Sequence, residues 1–424
     1  MSVLTLTARI LIGRKINPYN FNKTEGLCYK PRINDVGLYI HIPFCRKICN
    51  FCPYNKILYD RELAKEYILA LKRELALIKQ RLPLVRINSI YLGGGTPSLL
   101  KEGLAEIFKF VRDKFEITGD IGIEVHPGDS EKETLNYLKR IGISLVSVGI
   151  QSFDKEILQK LTRHRIEYDL KESLLRILAT GFNSVDVDLI FGMKGVSLEK
   201  NIKDFNTAID LGCDQVSMYP LIPFTFTPIG KKHFDKKNIV SSEKERTAAL
   251  SSFIKIAKIR NYERSSVWSF TKKGSTRYSS ITRNSFIGIG AGATSMIGNL
   301  FTVNTFSISE YIKESNKRIP SALCCNLSER DEMLWWLFWQ CYNTKIISDE
   351  FEKLFKKDLY VIFRKELNLG IFLGILIKEG NDFHLTQKGS SLFHLVEQEY
   401  THSYLDKMWR SCMFDPWPKR LTLN

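Results

Sequence analysis

The first half of the chain alternates short apolar runs, rich in β-branched residues, with longer segments of helical periodicity. Six runs of this kind are Leu38–Ile42, Ser89–Leu92, Ile121–Val125, Leu145–Ile150, Ser184–Phe191 and Asp214–Leu221. Parallel neighbouring strands need a long crossover between them, and a helix supplies that connection. The pattern therefore predicts an α/β fold in which parallel strands carry helices on their outer face.

The segment between the first two runs, residues 61–80, carries apolar residues at steps of three and four. These positions are Leu63, Tyr67, Ala70, Leu71, Leu75 and Ile78. Residues with this spacing share one face of an α-helix. We therefore expect an amphipathic helix that packs on the outside of the sheet.

The pattern of residues along the sequence changes after about residue 309. Ser328 is followed three residues later by Asp331, which is a helix-capping pattern at the start of an aromatic-rich segment. Two short strand-like runs, residues 370–377 and 383–385, then flank a turn, as in a small winged-helix module. We expect the tryptophans of this region to pack in a core or at a domain interface. They are Trp335, Trp336 and Trp339.

The composition is that of an ordinary globular protein. The chain has 424 residues and 44% apolar content, which suffices for one large domain and a smaller one. We expect a basic N-terminal leader over residues 1–33, a catalytic core over residues 34–305 and a C-terminal domain over residues 306–424.

The cysteine content favours a reducing compartment. There are 9 cysteines, an odd number with three of them clustered, which is not typical of a secreted disulfide scaffold. The first twenty residues lack an apolar stretch followed by a cleavage site, and no apolar run approaches the length of a membrane span. We therefore expect a cytoplasmic protein without a membrane span.

The formal net charge of +16 creates a positive field around the molecule. The lysines and arginines are spread along the chain, and no nucleic-acid-binding motif is visible, so we do not expect nucleic acid as the partner. An acidic electron-donor protein, or a small substrate with several carboxylates, would use the same field.

Three cysteines follow the first predicted strand in a C-x3-C-x2-C spacing: Cys45, Cys49 and Cys52. Cysteine thiolates hold iron–sulfur clusters, and a cubane bound by three of them leaves one iron open to a reacting ligand. A structural zinc site instead closes its shell with four protein ligands. Because His41 precedes Cys45 by four residues, the spacing alone admits either an open cluster or a closed zinc site.

Polar or glycine-rich positions stand at the ends of the next four predicted strands. They are Gly93, Gly94, Gly95 and Thr96 after the second strand, Glu124 in the third, Gln151 after the fourth and Asp188 in the fifth. Three glycines form either a tight turn or a cradle for a ligand, and a buried carboxylate is either paired or ligand-binding. In parallel barrels functional groups gather at the carboxyl ends of the strands, so this convergence favours a site.

Further motifs follow the cysteine loop in order. They are GGGTPS (Gly93–Ser98), IEVHPGD (Ile123–Asp129), VSVGIQSFDKEILQKLTR (Val146–Arg163), VDVDLIFGM (Val185–Met193) and GIGAGATSMIGN (Gly288–Asn299). Together with the loop, this ordered set resembles the radical S-adenosylmethionine superfamily, and specifically its oxygen-independent coproporphyrinogen III oxidase (HemN-like) family. The resemblance runs from about Tyr39 to the end of the sequence.

The resemblance implies a partial (βα)6 TIM-like barrel with a [4Fe-4S] cluster on the three cysteines, followed by a smaller helical, winged-helix-like C-terminal domain. The open iron would chelate the amino and carboxylate groups of S-adenosylmethionine. An electron from the reduced cluster would then cleave that molecule to methionine and a 5′-deoxyadenosyl radical. In this family a second S-adenosylmethionine molecule lies nearby.

The resemblance also carries roles onto individual positions. Tyr39, Phe51, Gly94 and Glu124 match residues around the cluster-bound molecule, and Tyr39 and Glu124 are expected to take part in catalysis. Gly95, Thr96, Gln151, Arg163 and Asp188 match residues around the second molecule. The residue types fit, because a carboxylate pairs with a cation, an arginine with a carboxylate and an aspartate with ribose hydroxyls.

Two departures from the family pattern concern the substrate. Decarboxylating members carry a further cysteine two places after the third, and here that place is Tyr54, after Pro53. Ser275, Thr276 and Thr294 stand where those members have a Phe-Gln pair and an Ile near the active-site end, and we expect Thr294 at the cofactor site. The cluster and S-adenosylmethionine chemistry are unaffected, but the substrate is not fixed by the resemblance.

Our first hypothesis is an oxidoreductase of tetrapyrrole metabolism that abstracts hydrogen from a propionate side chain and decarboxylates it to a vinyl group. One alternative is a methyltransferase of the same superfamily acting on a haem-like or aromatic substrate. Another is a non-catalytic haem chaperone, for which His41 is the first suspect for axial haem ligation, although we expect His41 rather to be a core histidine or one that supports a ligand-binding residue. We expect a monomer that receives electrons from an acidic donor such as flavodoxin or ferredoxin.

Overall fold

Strands and helices alternate through the first half of the chain, as the pattern predicts. The computed structural model describes residues 18–24, 27, 29–163, 168–278 and 284–423. The elements up to residue 220 are β1 (Tyr19–Lys23), β2 (Asp35–Ile42), β3 (Phe44–Cys45), β4 (Ile57–Leu58), α1 (Arg61–Arg81), β5 (Arg86–Gly94), α2 (Lys101–Lys114), β6 (Ile121–Val125), α3 (Lys132–Arg140), β7 (Leu145–Gln151), α4 (Lys155–Lys160), α5 (Leu170–Ala179), β8 (Ser184–Phe191), α6 (Leu198–Asp210) and β9 (Gln215–Pro220). The six predicted strands are confirmed as β2, β5, β6, β7, β8 and β9.

The second half of the chain contains shorter strands and more helices. Its elements are α7 (Pro228–Lys232), α8 (Glu243–Ile259), β10 (Tyr262–Arg264), β11 (Ser269–Lys272), β12 (Phe286–Ile289), β13 (Thr294–Ile297), β14 (Leu300–Asn304), α9 (Ile308–Glu314), β15 (Ser321–Asn326), α10 (Glu329–Tyr342), β16 (Lys345–Ile346), α11 (Ser348–Phe355), α12 (Leu359–Phe372), β17 (Leu376–Glu379), β18 (Asp382–Leu385), α13 (Gln387–Tyr400), α14 (Asp406–Phe414) and β19 (Arg420–Leu423). None of the helices in the described part of the chain combines the length and the apolar character that a bilayer crossing requires.

Most strands belong to one large sheet with the order β10-β11-β9-β8-β7-β6-β5-β2-β12-β13-β14-β15-β1-β19. The run from β9 to β2 is parallel throughout, and β12 also lies parallel to β2. From β12 to β15 each strand is antiparallel to the next. The parallel part is the partial (βα)6 barrel that the resemblance implies.

Helix α1 confirms the predicted amphipathic helix. It begins at a capped end, where the Asp60 carboxylate accepts a hydrogen bond from the Leu63 N–H at 2.8 Å. The predicted apolar face is buried at Tyr67, Ala70, Leu71, Leu75 and Ile78, and Leu63 is partly exposed. Burial of this face fixes α1 against the sheet that carries the site.

The large sheet includes segments outside the expected core of residues 34–305. Strand β1 lies within the expected leader and pairs with both β15 and β19, so that Asn22 faces Cys324 on one side and Arg420 on the other. Strand β15 lies beyond residue 305 and extends the antiparallel part of the sheet.

The expected winged-helix-like module is present after residue 328. Three strands form the antiparallel sheet β16-β18-β17, with α10, α11 and α12 around it. The predicted capping pattern is a capping box, in which the Ser328 side chain accepts from the Asp331 N–H at 3.2 Å. Trp336 is 1% exposed and packs against Phe351, with ring centroids 5.1 Å apart, so its predicted packing role is confirmed.

Candidate active site

A large cavity lies at the carboxyl ends of the parallel strands, where barrels of this kind carry their functional groups. Its volume is about 1140 Å³. Every residue that the sequence assigns to the cluster or to S-adenosylmethionine lines this cavity: Tyr39, Cys45, Cys49, Phe51, Cys52, Gly94, Gly95, Thr96, Glu124, Gln151, Arg163, Asp188 and Thr294. The fold therefore brings the predicted site together, while the role of each residue stays a prediction.

The cysteine loop, which we define as residues 45–56, is anchored on two sides. The Asn55 Nδ2 group donates to the carbonyls of Ala291 and Phe306, at 3.0 and 2.8 Å. On the other side, Arg46 forms an ion pair with the buried carboxylate of Asp129 at 2.5 Å. These contacts connect the loop to the segments that follow β12, β14 and β6, so the position of the thiols depends on distant parts of the chain.

The three thiols of the loop are free and partly buried. Burial and, next, the Cys52 thiol raise the pKa of Cys45 to about 12. Among the described residues, no group of three or more His, Cys, Asp and Glu side chains is arranged to hold a single metal ion. A structural zinc site would need a fourth protein ligand beside the three cysteines.

His41 lies beneath the loop and is 3% exposed. Its Nε2 atom is 2.8 Å from the Asn55 carbonyl, and its Nδ1 atom is 2.8 Å from the Tyr39 hydroxyl. Since a carbonyl only accepts, Nε2 carries the proton and Nδ1 accepts from Tyr39. Burial lowers the pKa of His41 to about 4, so the ring is neutral. With both nitrogens occupied, His41 is available neither as a fourth zinc ligand nor as an axial haem ligand.

The glycine turn after β5 supports the cysteine loop. The N–H groups of Gly94, Gly95 and Thr96 donate to the Glu124 carboxylate (3.0 Å), the Ile42 carbonyl (2.7 Å) and the Phe44 carbonyl (2.8 Å). Gly94 has a φ of 113°, and a Cβ atom there would lie 2.5 Å from the His41 ring. Of the two interpretations that the sequence leaves open, the structure favours the tight turn, because these N–H groups are engaged within the protein.

Glu124 lies at the centre of this arrangement, at the end of β6. One of its carboxylate oxygens accepts from the Tyr91 hydroxyl at 2.5 Å, and the other accepts from the Gly94 N–H at 3.0 Å. Burial raises the pKa of Glu124, whereas these two hydrogen bonds act to lower it. The carboxylate is thus fixed in orientation and carries no ion pair with a side chain in the described part of the chain.

The end of β7 is irregular where it reaches the cavity. Gln151 has a φ of 70°, and the register with β8 shifts between Gly149 and Gln151. A bulge of this kind re-aims a side chain at the edge of a sheet. The Arg163 Nη1 group donates to the Gly149 carbonyl, which holds the guanidinium beside the bulge.

Two carboxylates lie along β8. The Asp188 carboxylate accepts from Ser147 at 2.6 Å, and Asp186 accepts from Ser217 at 2.9 Å. Burial and then Asp186 raise the pKa of Asp188, and burial raises that of Asp186 to about 7. Asp186 also lines the cavity, and only Asp188 is among the residues that the sequence assigns to it.

The sequence does not predict the contribution of helix α14 to this cavity. Trp409 packs against Tyr54, with centroids 5.7 Å apart, and stacks on Phe224 at 5.6 Å and 9°. One turn earlier, Asp406 accepts from the Thr225 N–H at 2.7 Å and from its hydroxyl at 2.8 Å. In the sequence, the only local indication of this contact is that Asp406 and Trp409 are three residues apart and so share one face of a helix. This spacing does not show which surface the helix packs against.

Ser275 and Thr276 are not among the residues that line the cavity. The Ser275 hydroxyl donates to Asp214 at 2.9 Å, and Thr276 is exposed. Among the described residues of this segment, Arg277 and Tyr278 line the cavity instead. Thr294 lies at the cavity as expected.

Comparison with known proteins agrees with this geometry. The family model of the Radical SAM superfamily matches residues 39–208. The heme chaperone HemW of Bacillus subtilis (strain 168) is 30% identical over 287 residues, which cover 65% of this chain and 74% of that protein. The oxygen-independent coproporphyrinogen III oxidase of Escherichia coli (strain K12) is 27% identical over 325 residues, covering 67% of this chain and 66% of that protein.

A solved structure supports the same fold. Coproporphyrinogen III oxidase (HemN) from Escherichia coli, described as a radical SAM enzyme, matches with a TM-score of 0.74 and 22% sequence identity. The match covers 91% of this chain and 96% of that one. With the sequence relatives and the cysteine loop taken together, the chain belongs to the radical SAM superfamily and, within it, to the HemN-like family.

Proposed function

We propose that the protein is a radical SAM oxidoreductase that abstracts hydrogen from a propionate side chain of a porphyrinogen and decarboxylates it to a vinyl group, with a one-electron acceptor completing the oxidation. One observation carries the proposal: the three thiols and every residue assigned to S-adenosylmethionine line a single cavity of about 1140 Å³. Ligand pockets usually measure about 300–1,000 Å³. This cavity therefore has room for a large substrate beside a cofactor, and the net charge of +16 suits a polycarboxylate.

Membership of the superfamily implies a [4Fe-4S] cluster and S-adenosylmethionine. Cys45, Cys49 and Cys52 would hold the cluster, since all three are free, partly buried and line the same cavity. When bound, the cluster supplies the electron that cleaves S-adenosylmethionine and so generates the hydrogen-abstracting species.

Tyr39 and Glu124 are suited to bind an ammonium group. Tyr39 donates its hydroxyl proton to His41, so its oxygen can only accept from a ligand. Its ring stacks on Tyr91, which holds Glu124 in place, so the two acceptors lie next to each other. A bound cation would stabilise the Glu124 carboxylate against the cost of burial. We assign these two residues to the amino group of S-adenosylmethionine.

Arg163 and Asp188 are suited to a second molecule of the same cofactor. Within the described residues, the Arg163 guanidinium donates only to the Gly149 carbonyl, through Nη1, so its other N–H groups can meet a ligand carboxylate. In the same part of the chain, Ser147 donates to one Asp188 oxygen, and the other oxygen can accept from a ribose hydroxyl.

A haem chaperone without turnover is the second candidate, and Tyr54 favours it. This tyrosine stands where decarboxylating members carry a cysteine, and it packs against Trp409 at the cavity. The HemW relatives are named as chaperones. A methyltransferase would instead use the second S-adenosylmethionine as a carbon donor.

The test is anaerobic turnover of the reconstituted protein with reductant, S-adenosylmethionine and coproporphyrinogen III, followed by mass spectrometry. Loss of carboxyl mass from the tetrapyrrole supports decarboxylation. A gain of methyl mass would instead indicate a methyltransferase. Tight haem binding with an unchanged tetrapyrrole would indicate a haem chaperone. Cys45→Ala removes one of the three thiols that are assigned to the cluster. Its matched control is Cys324→Ala, which removes a partly buried cysteine of β15 that does not line the cavity.

A further inference from the structure

A second cavity, of about 230 Å³, lies beside the large one. The two share the wall formed by Leu221 and Ile222, directly after β9. The segment after α13 separates them further, because Thr401 lines the large cavity and His402 lines the small one. Neither the cluster nor the S-adenosylmethionine residues contribute to this smaller cavity, which we call the Arg246 cavity.

Arg246, near the start of α8, extends its side chain into the Arg246 cavity. Gly192 makes room for it: this glycine has a φ of 78°, and a Cβ atom there would lie 3.0 Å from the Arg246 Cδ atom. The Nη1 group donates to the Ser241 carbonyl at 2.6 Å. Within the described residues, the buried Nε atom has no hydrogen-bond partner, and no carboxylate lies within ion-pair distance of the guanidinium, although Glu243 and Glu245 attract it electrostatically.

Nη2 is the guanidinium nitrogen that is left for a ligand, because it makes no hydrogen bond within the described residues and, unlike Nε, is not fully buried. Burial lowers the pKa of Arg246, whereas Glu243 and Glu245 act to raise it. An oxyanion bound at Nη2 would add a closer opposite charge.

A second hydrogen-bond donor faces the same cavity. The His233 Nδ1 atom accepts from the Ile239 N–H at 3.2 Å, so Nε2 carries the proton of the neutral ring and donates. Asn238, Ser241, Gln398 and His402 also contribute to the polar lining. The one acidic residue there, Glu243, is exposed at the start of α8 and is not ion-paired with Arg246 in the described structure.

We propose that the Arg246 cavity is an oxyanion-binding site, in which the Nη2 group of Arg246 and the Nε2 group of His233 donate to a carboxylate or phosphate. Its volume fits a small anion or one carboxylate arm of a larger molecule. The anion comes either from solution or, since the cavity shares a wall with the large one, from a propionate of the substrate. The second source rests on the proposed function, and the first does not.

The test uses reconstituted full-length protein and three probes: inorganic phosphate and succinate by calorimetry, and coproporphyrin by its fluorescence. Arg246→Gln is expected to weaken binding of at least one probe tenfold or more. Arg260→Gln, which removes the same charge at the other end of α8, is expected to leave all three affinities unchanged. Arg246→Lys keeps the charge without the planar guanidinium and is expected to recover only part of the loss.

The pattern of losses identifies the source. If coproporphyrin binding weakens and phosphate competes with it on the wild-type protein, the ligand is a substrate propionate. If only phosphate or succinate binding weakens, the ligand is a free anion. The proposal is overturned if the wild-type protein binds none of the probes, or if Arg246→Gln and Arg246→Lys bind all of them as the wild type does. Cleavage of S-adenosylmethionine by the wild type is measured separately, so failure here is distinguishable from failure of the proposed function.

Discussion

The contact between Asn55 and the two carbonyls of Ala291 and Phe306 is the one that we expect the cysteine loop to depend on most. Both acceptors belong to buried residues, with Ala291 0% and Phe306 5% exposed. Replacement of Asn55 by alanine removes both donors and leaves the two carbonyls without this partner. Each lost hydrogen bond costs about 1 kcal/mol net, and a carbonyl left unsatisfied in a buried place costs about 1–3 kcal/mol.

Because a small water-filled gap would satisfy part of this requirement, we expect Asn55→Ala to lower the free energy of unfolding by about 2–4 kcal/mol. The measurement is urea denaturation of the cluster-free protein, followed by iron and sulfide content after anaerobic reconstitution. The loop carries the three thiols, so cluster occupancy is expected to fall together with stability.

The matched control is Asn136→Ala, at an exposed position on α3. It is expected to change the free energy of unfolding by less than about 0.5 kcal/mol. The reasoning is refuted if Asn55→Ala unfolds within about 0.5 kcal/mol of the wild type and takes up as much iron. In that case the loop would be held by its other contacts, of which the pair Arg46–Asp129 is the strongest candidate.

Three further predictions concern neighbouring groups. Burial raises the pKa of Glu74 from 4.5 to about 7, so the folded state binds this proton more tightly and the free energy of unfolding should fall as pH rises from 4.5 to 7. The difference in the free energy of unfolding between the wild type and Glu74→Gln, measured in urea, should change by up to about 1.4 kcal/mol per pH unit. A difference that does not vary with pH would contradict this prediction. Glu124→Gln deprives either Tyr91 or Gly94 of its hydrogen-bond acceptor and removes the negative charge. Equilibrium dialysis should therefore show that S-adenosylmethionine binds at least tenfold more weakly, and equal affinity would contradict the role assigned to Glu124. Trp409→Ala removes a half-buried ring and should lower the free energy of unfolding in urea by about 3 kcal/mol. An unchanged free energy of unfolding would show that α14 is not part of the cooperative fold.

The strands and the amphipathic helix were predictable because each depends on a local pattern. The six apolar runs became β2 and β5 to β9, and the expected face of α1 is buried. The gathering of Glu124 and Asp188 at one edge followed from parallel topology alone, since every strand of such a sheet ends on the same side.

The remainder depends on contacts between distant segments, which no local pattern specifies. The sequence does not show that Tyr39 and Asn55 occupy both nitrogens of His41, and this contact excludes the roles of zinc and haem ligand. Nor does it show that α14 places Trp409 against Tyr54, because that contact depends on the path of the whole C-terminal region.

Similarly, the pairing of β1 with β15 and β19 could not be predicted from the chain before residue 34. That segment has no periodicity strong enough to mark a strand, and its pairing partners lie far along the sequence. Strand pairing at such separation is decided by the assembled sheet rather than by the propensity of the segment itself.

The central claim is that the cysteine loop holds a cluster that cleaves S-adenosylmethionine. The most direct measurement is anaerobic incubation of the reconstituted protein with dithionite and S-adenosylmethionine, with 5′-deoxyadenosine and iron content determined together. We expect the wild type and Cys324→Ala to retain iron and form 5′-deoxyadenosine, and Cys45→Ala to lose both. If Cys45→Ala kept its iron and still formed 5′-deoxyadenosine at the wild-type level, the account would be contradicted.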